Sequence, residues 1–261
     1  MKLFFSEFKA DYDKYHFPYQ VWLLKEEGEE ESKIYENGFL PIRSLPNVYY
    51  LCRGLRVDLS QFGLSSENRR ILKKTENFSA QLIPLSQFNY DVQVQKLCRD
   101  YAEQRLGKDS FPVPAIRSVF IGQVYNQVFI FKDQDQKPVG YAVCFTNEKF
   151  LQYAHAFYDL NFLKESLGAR MILEAVNWAK ENNRQYAYLG TCYDEGALYK
   201  TEFSGVEFFN GFAWSRNLEE LKALIKRESS EYLLKDKDYL ENFHEGDLHR
   251  LLSNYGIRVN L

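Results

Sequence analysis

Three runs rich in aromatic and β-branched residues follow one another in the second half of the chain: 124–133, 139–146 and 150–159. The polar segments QDQKP and NEK separate them, so the pattern predicts three meandering strands joined by turns. The period then changes. Leu167, Met171, Ala175, Trp178 and Ala179 recur at steps of three and four, which predicts an amphipathic helix from Ser166 to about Asn182. QYAYLG reads as a further strand, DEGALYKTEF as a short helix and FFNGFAWS as a last strand. A helix crossing between two strands makes them parallel neighbours. The expected fold class is therefore α+β, with a mixed sheet that is part antiparallel and part parallel. Ligands in such sheets gather where the strand direction changes and the crossover helix begins, which singles out Ser166, Leu167 and Gly168.

The first half is less regular. Residues 39–59 contain two prolines and then an alternating run from Val48 to Leu59, expected to form a strand or two. Ser65 or Ser66 is a good N-cap for a helix carrying Glu67 in its first turn. Residues 86–106 read as another helix, with Phe88, Val92, Leu97 and Tyr101 to one side. Past Arg216, heptad-like leucines in a charged stretch predict a helical tail that packs on the body or on a partner chain. These features divide the chain into an N-terminal module at 1–110, a second half at 111–216 and a tail at 217–261.

Composition narrows the picture modestly. The chain has 261 residues, a formal net charge of −3 and a high aromatic content of 19 Tyr, 21 Phe and 3 Trp. The near-neutral charge gives no global nucleic-acid signature, although a local patch is sufficient for a polyanion. The four cysteines form no CxxC pair, the N-terminus is too charged for a signal peptide, and no run approaches the ~18 apolar residues of a membrane span. A cytoplasmic protein with reduced thiols and no membrane partner is expected. The acidic run KEEGEEES reads as a solvated loop.

The element order resembles the GNAT acyltransferase fold, in which the first turn of the central helix binds the acyl donor's pyrophosphate through backbone N–H groups. Gly168, Ala169 and Arg170 are the residues similar to that loop. A closer resemblance is to the aminoacyl-tRNA–protein transferases, the arginyl and leucyl N-degron enzymes. It rests on Tyr158, Asp159, the Ser166-Leu167-Gly168 triplet, Tyr186, Tyr188, Leu189, Gly190, the Tyr199-Lys200 pair and Trp214. A second block, Cys52, Arg56, Val57, Phe62, Ser65, Ser66, Arg69 and Arg70, resembles the family's N-terminal module. The family's usual N-terminal cysteine cluster is represented by Cys52 alone, and TCYDE stands where the family wall of the donor pocket differs.

The resemblance implies transfer of an amino acid of the Arg or Leu class from a charged tRNA to an amine such as a protein N-terminus. Direct attack on an ester requires a neutral amine, oxyanion donors and a proton for the leaving group. It requires no cofactor, and no Ser-His-Asp or Cys-His set is readable. Tyr199, Lys200 and Asp159 are the candidate catalytic residues; core packing, solvation and a turn acid are the structural alternatives for them. Ser166, Leu167, Gly168, Arg170, Tyr188 and Gly190 are candidates for the donor. Arg53, Arg56, Arg69, Arg70 and Lys73, with Lys74, form the most basic stretch and are candidates for tRNA or an acidic peptide terminus. Gly168 is expected to open the helix start to the donor's carbonyl or phosphate. His155 and Cys192 read as structural. An acyl-CoA-dependent N-acyltransferase and a non-catalytic binding module are the competing functions.

Overall fold

The computed structural model describes residues 1–11, 13, 16–229 and 231–254. Among these, the strands form two sheets. The smaller contains β1 (Lys2–Glu7), β2 (Tyr19–Leu24), β3 (Phe39–Pro41) and β4 (Val48–Leu51), in the order β1-β2-β4-β3. The larger adds β5 (Gly54–Asp58), β6 (Ser79–Pro84), β7 (Gln127–Lys132), β8 (Pro138–Thr146), β9 (Phe150–Tyr158), β10 (Tyr186–Thr191), β11 (Val206–Phe209) and β12 (Trp214–Ser215), in the order β12-β11-β5-β10-β9-β8-β7-β6. The helices are α1 (Glu31–Glu36), α2 (Ser66–Lys74), α3 (Val92–Arg105), α4 (Val113–Ile121), α5 (Leu167–Glu181), α6 (Leu218–Lys226), α7 (Lys237–Phe243) and α8 (Leu248–Asn254).

Every pairing in the large sheet is antiparallel except β9 with β10, the two strands joined by α5. The β9-α5-β10 crossover is thus the one expected from the sequence. The meander β7-β8-β9 is also present, extended at its edge by β6. The sheet does not respect a boundary at residue 110: β5 sits between β10 and β11, and β6 pairs with β7. The predicted last strand is a short hairpin of β11 and β12, and α4 is an element that the period reading passed over.

Three apolar clusters pin these layers. On one face of the large sheet Leu167, Met171, Ala175, Val176 and Ala179 of α5 pack with Ile71 of α2 and with Leu221, Leu224, Leu240 and Leu251 of the tail helices. The leucines of the tail therefore cover the body of this same chain, and residues 255–261 of that tail lie outside the described region. On the other face Val94, Cys98 and Ala102 of α3 meet Ile116, Val119 and Phe120 of α4. The small sheet and α1 close over Phe150 and Tyr188 through Leu23, Ile34, Tyr35 and Tyr49. Burial of this extent is the main favourable term holding the layers together.

Local signals place the helices. Ser65 is the N-cap of α2: its hydroxyl accepts from the Asn68 amide while Asn68 Oδ1 accepts from the Ser65 amide, a closed capping box. Asp91 and Asn217 cap α3 and α6 by one-way bonds, each side-chain oxygen accepting from two amides of the first turn.

One member of the basic stretch is placed differently from expectation. Arg56 is 8% exposed and donates from Nε to Glu207 Oε2 at 2.7 Å. Its guanidinium lies 4.0 Å from the Tyr186 ring centroid and 4.1 Å from that of Trp214. Glu207, 7% exposed, also accepts from Arg216 Nε at 2.9 Å. Arg56 neutralises a buried carboxylate between β5 and β11 and is closed to tRNA or peptide. Removing one partner of such a pair strands the other charge. Arg56→Met is expected to lower the unfolding free energy by about 3 kcal/mol in urea titration. Arg216→Met, at a position 57% exposed, is expected to shift the urea midpoint much less than Arg56→Met does.

Candidate active site

The parallel pairing of β9 and β10 lasts three residues: Tyr186 with Phe150, Ala187 with Leu151, Tyr188 with Gln152. Both strands then turn irregular. On β9, Cys144 pairs with Tyr153 but Val143 with His155, so Ala154 is an extra, unpaired residue. On β10, the register against β5 shifts between Tyr188 and Thr191, where Gly190 takes φ +80°. That conformation suits glycine and strains other residues. The strands separate beyond these two points.

A cavity of about 800 Å³ fills the gap. Ser166, Gly168 and Ala169 enter it from the start of α5, Leu189, Gly190 and Thr191 from β10, and Tyr199 and Lys200 from the 3₁₀ turn at Glu195–Thr201. Six tyrosines line it: Tyr50, Tyr101, Tyr125, Tyr153, Tyr158 and Tyr199. Its cationic side chains are Arg43, Arg105 and Lys200, and among the described residues no aspartate or glutamate lines it. The cavity passes from one face of the sheet to the other. Tyr153, Ala156 and Tyr158 pack on the α5 side, whereas Ala154, Phe157 and the aromatic neighbours of His155 belong to the α3–α4 side.

Lys200 Nζ donates to the Thr191 carbonyl at 3.0 Å, beside Gly190. Burial lowers its pKa, with Cys192 and Asp194 opposing that shift. Burial raises the Tyr199 and Tyr158 hydroxyls and takes Tyr101 up to about 12, so these phenols stay protonated and act as donors near neutral pH. Ser166 is both the end of the preceding 3₁₀ turn and the N-cap of α5, held at φ +69°. Its hydroxyl gives α5 no cap and instead accepts from Lys74 Nζ at 3.0 Å. The first amides of α5 accordingly face the cavity end of the helix, without acceptors inside it.

Gly168 has a neighbour that the sequence did not suggest. A Cβ there would stand 2.9 Å from Tyr158 Oη and 3.0 Å from the ring carbons. The glycine admits a tyrosine ring against the first turn, and the ring in turn walls the cavity.

The other candidate residues are dispersed. Asp159 caps its own turn, its carboxylate accepting from the Asn161 amide at 3.0 Å, and it faces a separate depression beside α3. Leu167 and Tyr188 are core residues, 0% and 1% exposed. Arg170 pairs along its helix with Glu174 and lies outside the cavity lining. Arg53 stacks on Tyr193, 5.0 Å from the ring centroid. On α2, Arg70 is tied to Glu67 and Arg69 to the Leu64 carbonyl. The helix touches the cavity rim through Lys74; Arg69, Arg70 and Lys73 are not among the lining residues. Cys192 is fully buried beside Lys200 and Arg53, and burial raises its thiol pKa despite those cations.

Sequence reasoning passed over Arg43, Tyr50, Arg105, Tyr125 and Gln152. His155, read as structural, also lines the cavity. Its Nε2 lies 3.1 Å from Tyr125 Oη, and burial together with Arg43 pushes its pKa down to about 4.

The mixed sheet with its β9-α5-β10 crossover and central cleft defines an α+β protein whose element order is the one read from its sequence. Residues 93–210, which supply most of that cleft, match the family model described as "Arginine-tRNA-protein transferase, C terminus". Among curated relatives, the aspartate/glutamate leucyltransferase of Ruegeria pomeroyi is 26% identical over 210 residues, covering 73% of this chain and 74% of that protein. The enzyme of the same name from Acinetobacter baumannii is 22% identical over 172 residues, and the match covers 63% of this chain and 62% of that protein's length. A solved GCN5-related N-acetyltransferase from Kribbella flavida is similar at a TM-score of 0.34 and 16% identity, over 60% of this chain and 53% of that one. The resemblance to the aminoacyl-tRNA–protein transferases therefore holds.

The His155 environment sets a pH dependence of stability. Its folded pKa lies below the usual value near 6.5, so between about 4 and 6.5 the unfolded chain binds more protons. The contribution is intact above that window and is lost as pH falls through it. Between pH 7.5 and pH 5, His155→Gln is expected to lose about 2 kcal/mol less stability than the parent chain in paired urea titrations.

Proposed function

We propose that this chain is an aminoacyl-tRNA-dependent transferase that moves an amino acid of the Arg or Leu class onto an amine, a protein N-terminus. The observation that carries this reading is the coincidence of the matched family region with the acid-free cleft. In that cleft a half-buried lysine and protonated tyrosines converge on the open seam between β9 and β10. The names of the curated relatives point the same way.

In this reading the terminal nucleotide of the charged tRNA lies on the α5 side, against the first amides of α5 and near Lys200, Arg105 and Lys74. The neutral acceptor amine attacks the ester carbonyl. A C–N bond forms, the C–O bond to the ribose breaks, and the ribose oxygen takes up a proton as the amine loses one. Lys200 gives one of its three N–H donors to Thr191, leaving two for the carbonyl oxygen or the departing ribose oxygen. The phenol of Tyr199 is a second donor. Direct attack of this kind uses no prosthetic group. The four cysteines are free and buried, which fits a reducing compartment, the cytoplasm. No described helix is long and apolar enough to cross a membrane.

Transfer of labelled leucine or arginine from charged tRNA to peptides beginning with Asp, Glu, Lys or Arg tests the reading, with labelled acetyl-CoA run in parallel. Label from a charged tRNA is the expected outcome, and label from acetyl-CoA alone would overturn the tRNA donor. Lys200→Met is expected to reduce kcat/KM by about 10²-fold, the scale of one lost oxyanion donor. Retained binding of charged tRNA by that variant would place the loss in turnover; unchanged turnover would take Lys200 out of the chemistry, and binding without transfer from any donor in the parent chain would indicate a binding module.

A further inference from the structure

Gln152 is the last residue of β9 held by β10 before the seam opens, where it pairs with Tyr188. Residues two apart on a strand share a face, so its side chain stands with that of Phe150 on the small-sheet side, away from α5. It is 4% exposed, and it lines the cavity. One end of its carboxamide is occupied: Oε1 accepts from Tyr35 Oη of α1 at 2.6 Å. Burial raises the Tyr35 phenol well above its ordinary pKa, so the hydroxyl keeps its proton, and among the described residues it has no other acceptor. A buried hydroxyl gives its one proton to an acceptor, which makes the bonded atom the oxygen and fixes Nε2 at the other end.

That other end is unused. Nε2 has no partner among the described residues. It is also not one of the sealed, unpaired polar atoms, which are Trp22 Nε1, Tyr90 Oη and Arg170 Nε. The open space beside Gln152 is the cavity. Buried amides in native folds have their donors satisfied, so two idle N–H groups here mark a place where an oxygen arrives with a ligand. The aim of the group is set in advance. The Tyr35 ring is locked between Phe150 and Tyr188, its centroid 4.3 and 5.0 Å from theirs. A neutral donor, oriented before any ligand enters and placed where two strands part, has the properties required at a carbonyl oxygen that gains charge.

We propose that Gln152 is a catalytic residue whose Nε2 donates to the carbonyl oxygen of the scissile ester, and that Tyr35 is the positioning residue that aims it. The inference rests on the transferase reading above and divides its chemistry between two groups. As the amine nitrogen bonds to the carbonyl carbon, an electron pair moves onto the carbonyl oxygen. Nε2 holds that charge without transferring a proton. A carboxamide has no proton to give up at neutral pH, so the departing ribose oxygen falls to Lys200. Its ammonium supplies a proton as the C–O bond breaks, and the lysine then takes up the proton that the attacking nitrogen sheds. Amine and ester become amide and free ribose hydroxyl, with Lys200 restored.

The test uses the full chain, tRNA charged with labelled leucine or arginine, and an acceptor peptide that the parent modifies. Gln152→Leu is expected to lower kcat by about 10²-fold, the scale of one lost oxyanion donor, with KM for the charged tRNA within about threefold of the parent's. Tyr35→Phe keeps the packed ring and is expected to give a smaller loss of the same kind. Two stable mimics of the charged tRNA end separate chemistry from binding. A planar amide is expected to bind the parent and Gln152→Leu alike, whereas a tetrahedral phosphonate is expected to bind the variant about 10²-fold more weakly. Thermal melting reports whether each variant folds. Tyr35→Phe combined with Gln152→Leu removes both partners and strands neither, and it takes the place of Gln152→Leu should that variant unfold. Unchanged kcat in the folded variant, or an equal loss of affinity for both mimics, overturns the assignment. Absence of transfer from either charged tRNA in the parent removes the transferase reading instead. The same variants are then compared with labelled acetyl-CoA as donor: a fall in kcat of about 10²-fold upholds Gln152 at the reacting carbonyl, and unchanged turnover, or none in the parent, overturns it.

Discussion

The separation of β9 from β10 is the constraint on which the site depends. Parallel neighbours normally stay paired, because each unpaired backbone group near the core costs about as much as a lost hydrogen bond. Here two irregularities on facing strands end the pairing together. Ala154 is inserted without a partner on β9, and Gly190 turns the β10 backbone into the left-handed region. The seam opens between two layers of packed helices, α5 with α2 on one face and α3 with α4 on the other. A gap in that position communicates with both faces. Under the proposed reading, two reactants would meet in the plane of the sheet, each held from its own side.

The bulge has a second consequence. In a regular strand residues two apart share a face, which would put His155 with Tyr153 against α5. The extra residue reverses the alternation between them. Leu151 and Tyr153 face α5, and so do Ala156 and Tyr158, but His155 and Phe157 face the α3–α4 layer. One inserted residue thereby supplies aromatic donors to one side of the cleft and a neutral imidazole to the other.

This explains which parts of the site were legible in the sequence. The crossover helix was readable because its period is local: Leu167, Met171, Ala175 and Ala179 declare a buried face whatever surrounds them. The Tyr199-Lys200 pair was found by resemblance and does line the cleft. The bulge at Ala154 leaves no such local trace, so the alternation around His155 read as an ordinary buried strand. Arg43 and Tyr50 enter from the small sheet, more than a hundred residues away along the chain, and no periodicity announces that meeting. Arg56 failed in the opposite sense. Among basic neighbours it looked like part of a patch, but Glu207 lies 151 positions further along and claims it.

Gly168 illustrates the same limit at a single residue. A glycine at a helix start signals that something comes close, and something does: the Tyr158 ring, at a distance no Cβ would tolerate. Its identity was beyond local inference because Tyr158 ends the strand before α5 and is folded back against the helix start. The contact does not exclude a ligand; it helps define where one sits. With the ring against Gly168, its hydroxyl and the first amides of α5 lie at the same end of the cavity, and Tyr101 and Arg105 of α3 close in from beyond it. Ser166, meanwhile, is occupied by Lys74 and leaves those amides uncapped. A serine that declines to cap its own helix, strained at positive φ, is costly in a merely structural turn. Under the proposed transferase reading it makes sense, because the helix end would then be kept for an oxygen that arrives with the donor.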